Sequence, residues 1–169
     1  MRKGILSTLA LGLGLIANAQ ASLELPRHAD LDLSAARQLA DSALAHCDAA
    51  VTVLDRGGNA LLMLRVAHVG VHNMPASQRK AYTALSTKTS TITLAASARS
   101  TPDSANLNTF DALLLLGGGI PLYASQQLVG AIGIAGAGGA QKDDACAIAA
   151  ANSMGLGTTA FISTNHGEP

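Results

Sequence analysis

Residues 51–67, VTVLDRGGNALLMLRVA, decide the fold. Val51-Thr52-Val53-Leu54-Asp55 is strand-like and β-branched at its start. Arg56-Gly57-Gly58-Asn59 supplies the positive-φ residues of a tight turn, and residues 61–67 return as an apolar strand. So short a turn joins antiparallel neighbours, because parallel strands need a crossover of a dozen residues or more. The apolar run at 61–67 suggests burial on both faces or an oligomer contact. Upstream, Leu33, Ala36, Leu39, Ala40, Ala43 and Leu44 recur at helical spacing, predicting an amphipathic helix over 34–47 with Ser34 as N-cap.

Downstream, residues 68–75 read as a loop ending in a helix-start proline. Residues 76–89 read as a second helix that exposes Gln78, Arg79 and Lys88. The Thr-rich stretch 87–93 weakens a helix there. Thr101-Pro102-Asp103 is a break leading to an Asn-rich loop through Asn108. Residues 113–116 are expected as a short buried strand, and Gly117-Gly118-Gly119-Ile120-Pro121 as a sharp connection. Residues 122–125 and 128–135 flank Gln126-Gln127 as a further hairpin. A glycine turn at 136–139 precedes an Ala-rich helix over 143–154, stopped by Gly155 and Gly157. The tail at 158–164 adds an edge strand or stays loose. Hairpins alternating with helices predict an α+β layered domain with a mainly antiparallel sheet, not a doubly wound one.

Length and composition narrow the function. The chain has 169 residues, 49% hydrophobic and 13% charged, which suits one folded domain and excludes a disordered chain. Eleven basic and eleven acidic residues balance to zero, against a dedicated nucleic-acid binder. Aromatics make up only 2%, against a base-stacking surface. Arg2 and Lys3, an apolar run over 4–16 and Ala19-Gln20-Ala21 read as a secretory signal peptide at 1–21, with the domain proper at 22–169. The expected location is periplasmic or secreted, with no stable membrane insertion after cleavage. In that compartment Cys47 and Cys146 form one disulfide or remain as two buried thiols. If Cys47 ends the first helix and Cys146 begins the last, antiparallel packing brings them together.

No dinucleotide fingerprint, P-loop, nucleophile elbow or H-E-x-x-H is present. The glycine turn at 136–139 precedes a helix, so its backbone N–H groups suit a carboxylate or phosphate; alternatively, the glycines only permit the turn. His68, His72 and Met74 carry side chains that ligate haem iron, or they decorate an exposed loop. His28, His46 and His166 lie in tail or helix-end contexts. Lys80 and Tyr82, early in the second helix, reach an acidic ligand group or serve as packing positions.

Three blocks together resemble the GlcG/HbpS family of haem-binding proteins, often labelled haem-degrading. They are 51–59; Arg79-Lys80-Ala81-Tyr82-Thr83-Ala84; and 117–122 with 128–137 and 141–146. The resemblance covers nearly all of residues 34–154. It implies a profilin-like α-β-α sandwich with a mainly antiparallel five-stranded sheet, homo-oligomers, and a site near the second helix. Where the family usually has Met-Asp-Gly-Ala after the second strand, this chain has a histidine-bearing loop, Arg65 to Met74.

The resulting expectation is an exported haem-binding protein for haem buffering, delivery or sensing. His72 or His68 would be the metal ligand, with Met74, Arg79, Lys80 and Tyr82 completing the cofactor site and Lys80 or Arg79 pairing with propionates. Enzymatic degradation ranks below binding, because the chain carries no flavin or nicotinamide motif. The alternatives are a small-carboxylate binder or processing protein, with the carboxylate on the glycine turn, and an oligomeric partner of a membrane sensor.

Overall fold

The structure, a computed structural model, describes residues 23–160. The expected signal peptide, most of the tail and His166 therefore lie outside the described residues. Helix α1 (Leu33–Leu44) is followed by strands β1 (Ala50–Asp55) and β2 (Ala60–Arg65). Next come helices α2 (Asn73–Thr87), α3 (Thr91–Ser100) and the short α4 (Pro102–Ala105), and a 3-10 turn at Asn106–Thr109. Strands β3 (Gly119–Ala124) and β4 (Gln127–Ala135) lead into helix α5 (Ala140–Ser153). Among the described residues no helix is long and apolar enough to cross a membrane.

The sheet is antiparallel with order β2-β1-β4-β3, and it has four strands, not the five expected. The missing strand is 113–116. Its backbone turns to a helix instead of a ladder: Leu114 N–H donates to the Thr83 hydroxyl at 2.8 Å. Leu116 is 47% exposed, so the stretch is not buried either. The glycine-rich stretch expected as a connection starts a strand, β3. Pro121 is tolerated there because β3 is an edge, where a missing N–H costs no ladder bond. Strand β2, on the other edge, is half-buried and not enclosed on both faces.

Alternation along the strands builds two layers of contact. Val51, Val53, Ile120, Leu122, Ile132 and Ile134 point to one face, where α1 and α5 close the main core. Leu54 and Ala131 point to the other, against Ala81, Ala84 and Leu85 of α2. Asp32, not Ser34, caps α1 by accepting from Ala35 N–H at 2.8 Å.

Helix α2 lies unusually close to the sheet. Gly119 and Gly133 face each other across β3 and β4. A Cβ at Gly133 would stand 2.0 Å from the Ser77 carbonyl oxygen, and one at Gly119 would stand 2.2 Å from that of Lys80. The two glycines thus form a seat for the helix backbone. The Thr52 and Ser77 hydroxyls, both buried, pair at 2.8 Å beside it.

Helix α2 starts earlier than expected, at Asn73, and α3 forms where the threonines argued against helix. Hydroxyls explain the second difference. Thr83 and Thr87 donate back to the carbonyls of Arg79 and Thr83, and Thr91 accepts from Gly119 N–H at 2.8 Å. Threonine here anchors the helices to the sheet and to themselves. Helix α5 likewise begins at Ala140, three residues before the expected start.

Cys47 and Cys146 form the disulfide, Cα to Cα 6.4 Å, tying the chain after α1 to α5 across 99 residues of sequence. In the chain-entropy model a loop of that length contributes up to about 4–5 kcal/mol. Cys47→Ala with Cys146→Ala is expected to lose about 2–5 kcal/mol in urea unfolding. Unchanged midpoints on reducing the wild type would contradict a stabilising crosslink.

Candidate functional site

Helix α2 organises the site, and its three surroundings differ in chemistry. At its N-terminal end, the Arg65 guanidinium donates to the carbonyls of Val66, Ala67 and Val69 and so clamps the histidine loop. Val69 is buried beneath that loop while Val71 is exposed. His68 Nε2 lies 3.1 Å from Asp48 Oδ2, both mostly exposed. His72 occupies the N-cap position without capping by its side chain, and Met74 follows in the first turn.

On its sheet-facing side sits a buried polar knot. Lys80 is 1% exposed, and its Nζ donates to Asp143 Oδ2 at 2.7 Å and to the Ile134 carbonyl at 3.0 Å. Asp143 Oδ1 accepts from Ala137 N–H at 2.8 Å. Asp144 Oδ1 accepts from Gly118 N–H at 3.3 Å. Lys80 is therefore enclosed, and two of its donors are taken up within the protein. Part of the expected carboxylate-binding role of the glycine turn is also filled from within, because the Ala137 N–H already holds the protein's own Asp143.

On its outward side, Arg79 and Tyr82 line two adjoining clefts that share Gly58 and Tyr82. The larger, about 580 Å³, has Leu85 and Leu128 on its walls and the basic groups of His28, Arg56 and Lys88 around it. The smaller, about 180 Å³, adds Leu54, Gln78, Arg79 and Ala112. Arg79 Nη2 donates to the Leu113 carbonyl at 2.6 Å, so the guanidinium also tethers the 112–114 segment over the helix.

The lead-in reaches the same cleft. Asp30 Oδ1 accepts from Arg56 N–H at 2.8 Å, Leu31 N–H donates to the Val129 carbonyl at 3.2 Å, and Ala29 N–H reaches Gln127 Oε1 at 3.4 Å. These bonds pin residues 29–31 to the two hairpins that wall the cleft. The β1–β2 hairpin is itself braced by Asp55, whose carboxylate accepts from Asn59 N–H and Nδ2. The Asn59 side-chain bond, chiefly, holds the Asp55 carboxyl below its usual range.

The expected site residues thus divide. His68, His72 and Met74 share one end of α2, Lys80 is enclosed, and Arg79 with Tyr82 stands at the clefts. From His72 to Tyr82 the helix axis advances about 15 Å, at 1.5 Å per residue. In the sequence, Arg56 and Lys88 carry no ligand signal and His28 lies in a tail context. The turn Arg56-Gly57-Gly58 signals only a hairpin; a second hairpin and a helix end, remote in sequence, make it a cleft wall.

Burial, chiefly, pushes the Asp144 carboxyl above the ordinary 3.8, against the opposing pull of Gly118 N–H and Lys80. Between 3.8 and that raised value the folded chain binds more protons than the unfolded one. This group's contribution therefore falls as pH rises through the window. Asp144→Asn keeps an acceptor for Gly118 N–H and removes the ionisation. It is expected to be at least as stable as wild type at pH 7, and a denaturant series across pH 4–7 checks it; a variant destabilised at every pH contradicts the assignment.

Known proteins show the same architecture. The HbpS crystal structure is 33% identical, with a TM-score of 0.70 over 78% of this chain and 94% of that one. Protein ORFY of Klebsiella pneumoniae is 25% identical, with a TM-score of 0.71 over 80% and 98% of the two chains. An uncharacterised 15.0 kDa protein from the dhaT–dhaS intergenic region of Citrobacter freundii is 30% identical over 115 residues, which are 64% of this chain and 81% of that protein. The family model described as "Haem degrading protein HbpS-like" matches residues 31–152, and the chain belongs to this HbpS-like family.

Proposed function

We propose that this protein is an exported haem-binding protein that holds its ligand in the cleft over Tyr82. One observation carries the reading: in a chain of the HbpS-like family, apolar walls, basic groups, an imidazole and a phenol converge on one cleft. A porphyrin needs apolar contact for its faces, and Leu85 and Leu128 line the cleft with apolar side chains. Its two propionates need cations, and Arg56, Lys88 and Arg79 stand at the margins. Its iron takes an imidazole or a phenolate, and His28 and Tyr82 line the cleft. The larger cleft falls within the range of about 300–1,000 Å³ usual for small-molecule sites.

When bound, haem would supply a redox-active iron; the residues of this chain bind and orient it. The reading is of haem buffering, delivery or sensing, with degradation ranked below binding. The leader-like segment 1–21 and the disulfide support export, since disulfides persist in oxidising compartments. The half-buried edge strand β2 supports an oligomer.

Titration of the purified protein with haemin tests the reading. A saturable Soret change is expected, and Arg56→Ser with Lys88→Ser is expected to weaken binding about tenfold or more. His68→Ala and His72→Ala should leave it within about threefold, because a surface change remote from the ligand perturbs it little. Loss of the Soret change in the His68 or His72 variants would move the site to the other end of α2. Absence of any saturable change would overturn haem binding.

A further inference from the structure

We propose that His28, delivered by the lead-in before α1, ligates the haem iron in this cleft and makes the site selective for iron porphyrin over the metal-free ring. The inference rests on the haem reading above. The lead-in is fastened at two points. The residue after His28, Ala29, bonds to Gln127 on the β3–β4 hairpin, and the next, Asp30, takes the Arg56 N–H on the β1–β2 hairpin. A short irregular segment anchored on both hairpins carries the exposed His28 onto the cleft they wall.

The other described histidines are placed differently. His46 follows α1, which packs on the opposite face of the sheet from α2. His68 Nε2 is engaged by Asp48. His72 sits at the far end of α2, its ring against Gly70. Imidazole binds haem iron through a neutral ring nitrogen. Arg56 and Lys88 border the same cleft and match the propionates, so an iron ligand and carboxylate partners occur together there. Tyr82 rises from α2 between the two clefts, beside Gly58, in the position of a wall for the ring.

The test compares haemin with protoporphyrin IX on the full chain as purified. In His28→Ala, haemin affinity is expected to fall about tenfold or more, as for loss of a group that tunes a metal. The Soret band should shift in the variant and return on adding free imidazole. Protoporphyrin IX should bind wild type and variant alike, since it has no iron to ligate. His46→Ala, on the opposite face of the sheet, is the control and should keep the wild-type haemin spectrum.

Equal loss of haemin and protoporphyrin IX in His28→Ala would reduce His28 to a packing residue and overturn the proposal. So would an unaltered haemin spectrum in His28→Ala; in both cases haem binding itself stands. Failure of the wild type to bind either porphyrin removes the haem reading, and this inference with it.

Discussion

Gly133→Ala is expected to unseat α2 and to cost about 3 kcal/mol or more, lowering the melting temperature by roughly 10 °C. The reason is contact, not conformational freedom. Gly133 has a backbone conformation open to any residue, but an added methyl would meet the Ser77 carbonyl oxygen at 2.0 Å, the Ala81 nitrogen at 2.7 Å and the Ala81 Cβ at 3.0 Å. Those first two atoms are helix backbone and cannot rotate away. Relief requires α2 to lift, which breaks the Thr52–Ser77 hydroxyl pair and loosens Ala81 and Ala84 from Leu54 and Ala131. Because Arg79 and Tyr82 ride on the same helix, haemin binding is expected to weaken with the fold. Gly155→Asn is the control. Gly155 has φ +68° with no atom within 4 Å of the added carbon, so asparagine should cost under about 1 kcal/mol. A Gly133→Ala protein melting with the wild type would refute the close seating of α2.

Lys80→Met is the second large effect, about 3–5 kcal/mol of lost stability. Methionine nearly conserves the volume, so the loss isolates the ammonium. Without it, the Ile134 carbonyl loses that donor and the Asp143 carboxylate keeps only the Ala137 N–H of its two contacts. A buried charge stripped of its partner is costlier than the pair was worth. Adding Asp143→Asn to Lys80→Met should therefore recover a large part of the loss, since the amide oxygen still accepts from Ala137. The two changes would then be strongly non-additive in a denaturation cycle. Simple additivity, or a Lys80→Met protein as stable as wild type, would show that the ammonium reaches water. The knot matters for the site because it joins α2 to the end of β4 and the start of α5, holding the helix in azimuth so that Arg79 and Tyr82 face out.

Much of the architecture is legible along the chain. The 51–67 hairpin follows from a β-branched strand and a Gly-Gly-Asn turn, both local properties, and its antiparallel sense follows from the length of the turn. The amphipathic period over 34–47 yields α1, and the glycine stop yields the end of α5. Where reading along the chain fails, a remote partner overrides local preference. Threonine discourages helix in isolation, yet Thr91 is held by Gly119 N–H, 28 residues away. Residues 113–116 have a strand's composition, but Thr83 takes the N–H that a ladder would need. Gly119 and Pro121 look like a turn until β4 pairs with them.

The candidate site divides in the same way. Arg79 is legible as an exposed position of the second helix, whereas Tyr82 is singled out only together with Lys80, which is buried. That Lys80, next to Arg79, turns inward to Asp143 depends on a residue 63 positions away. That His28, Arg56 and Lys88 share a cleft depends on a lead-in, a hairpin and a helix end meeting in space. Spacing and turn composition act over a few residues, so the hairpin, the helices with strong periodicity, the family and the chemistry of the available side chains can be read along the chain. The four-strand order, the disulfide, the enclosure of Lys80 and the grouping of the cleft emerge only on folding, because each is a contact between remote segments that no local rule brings together.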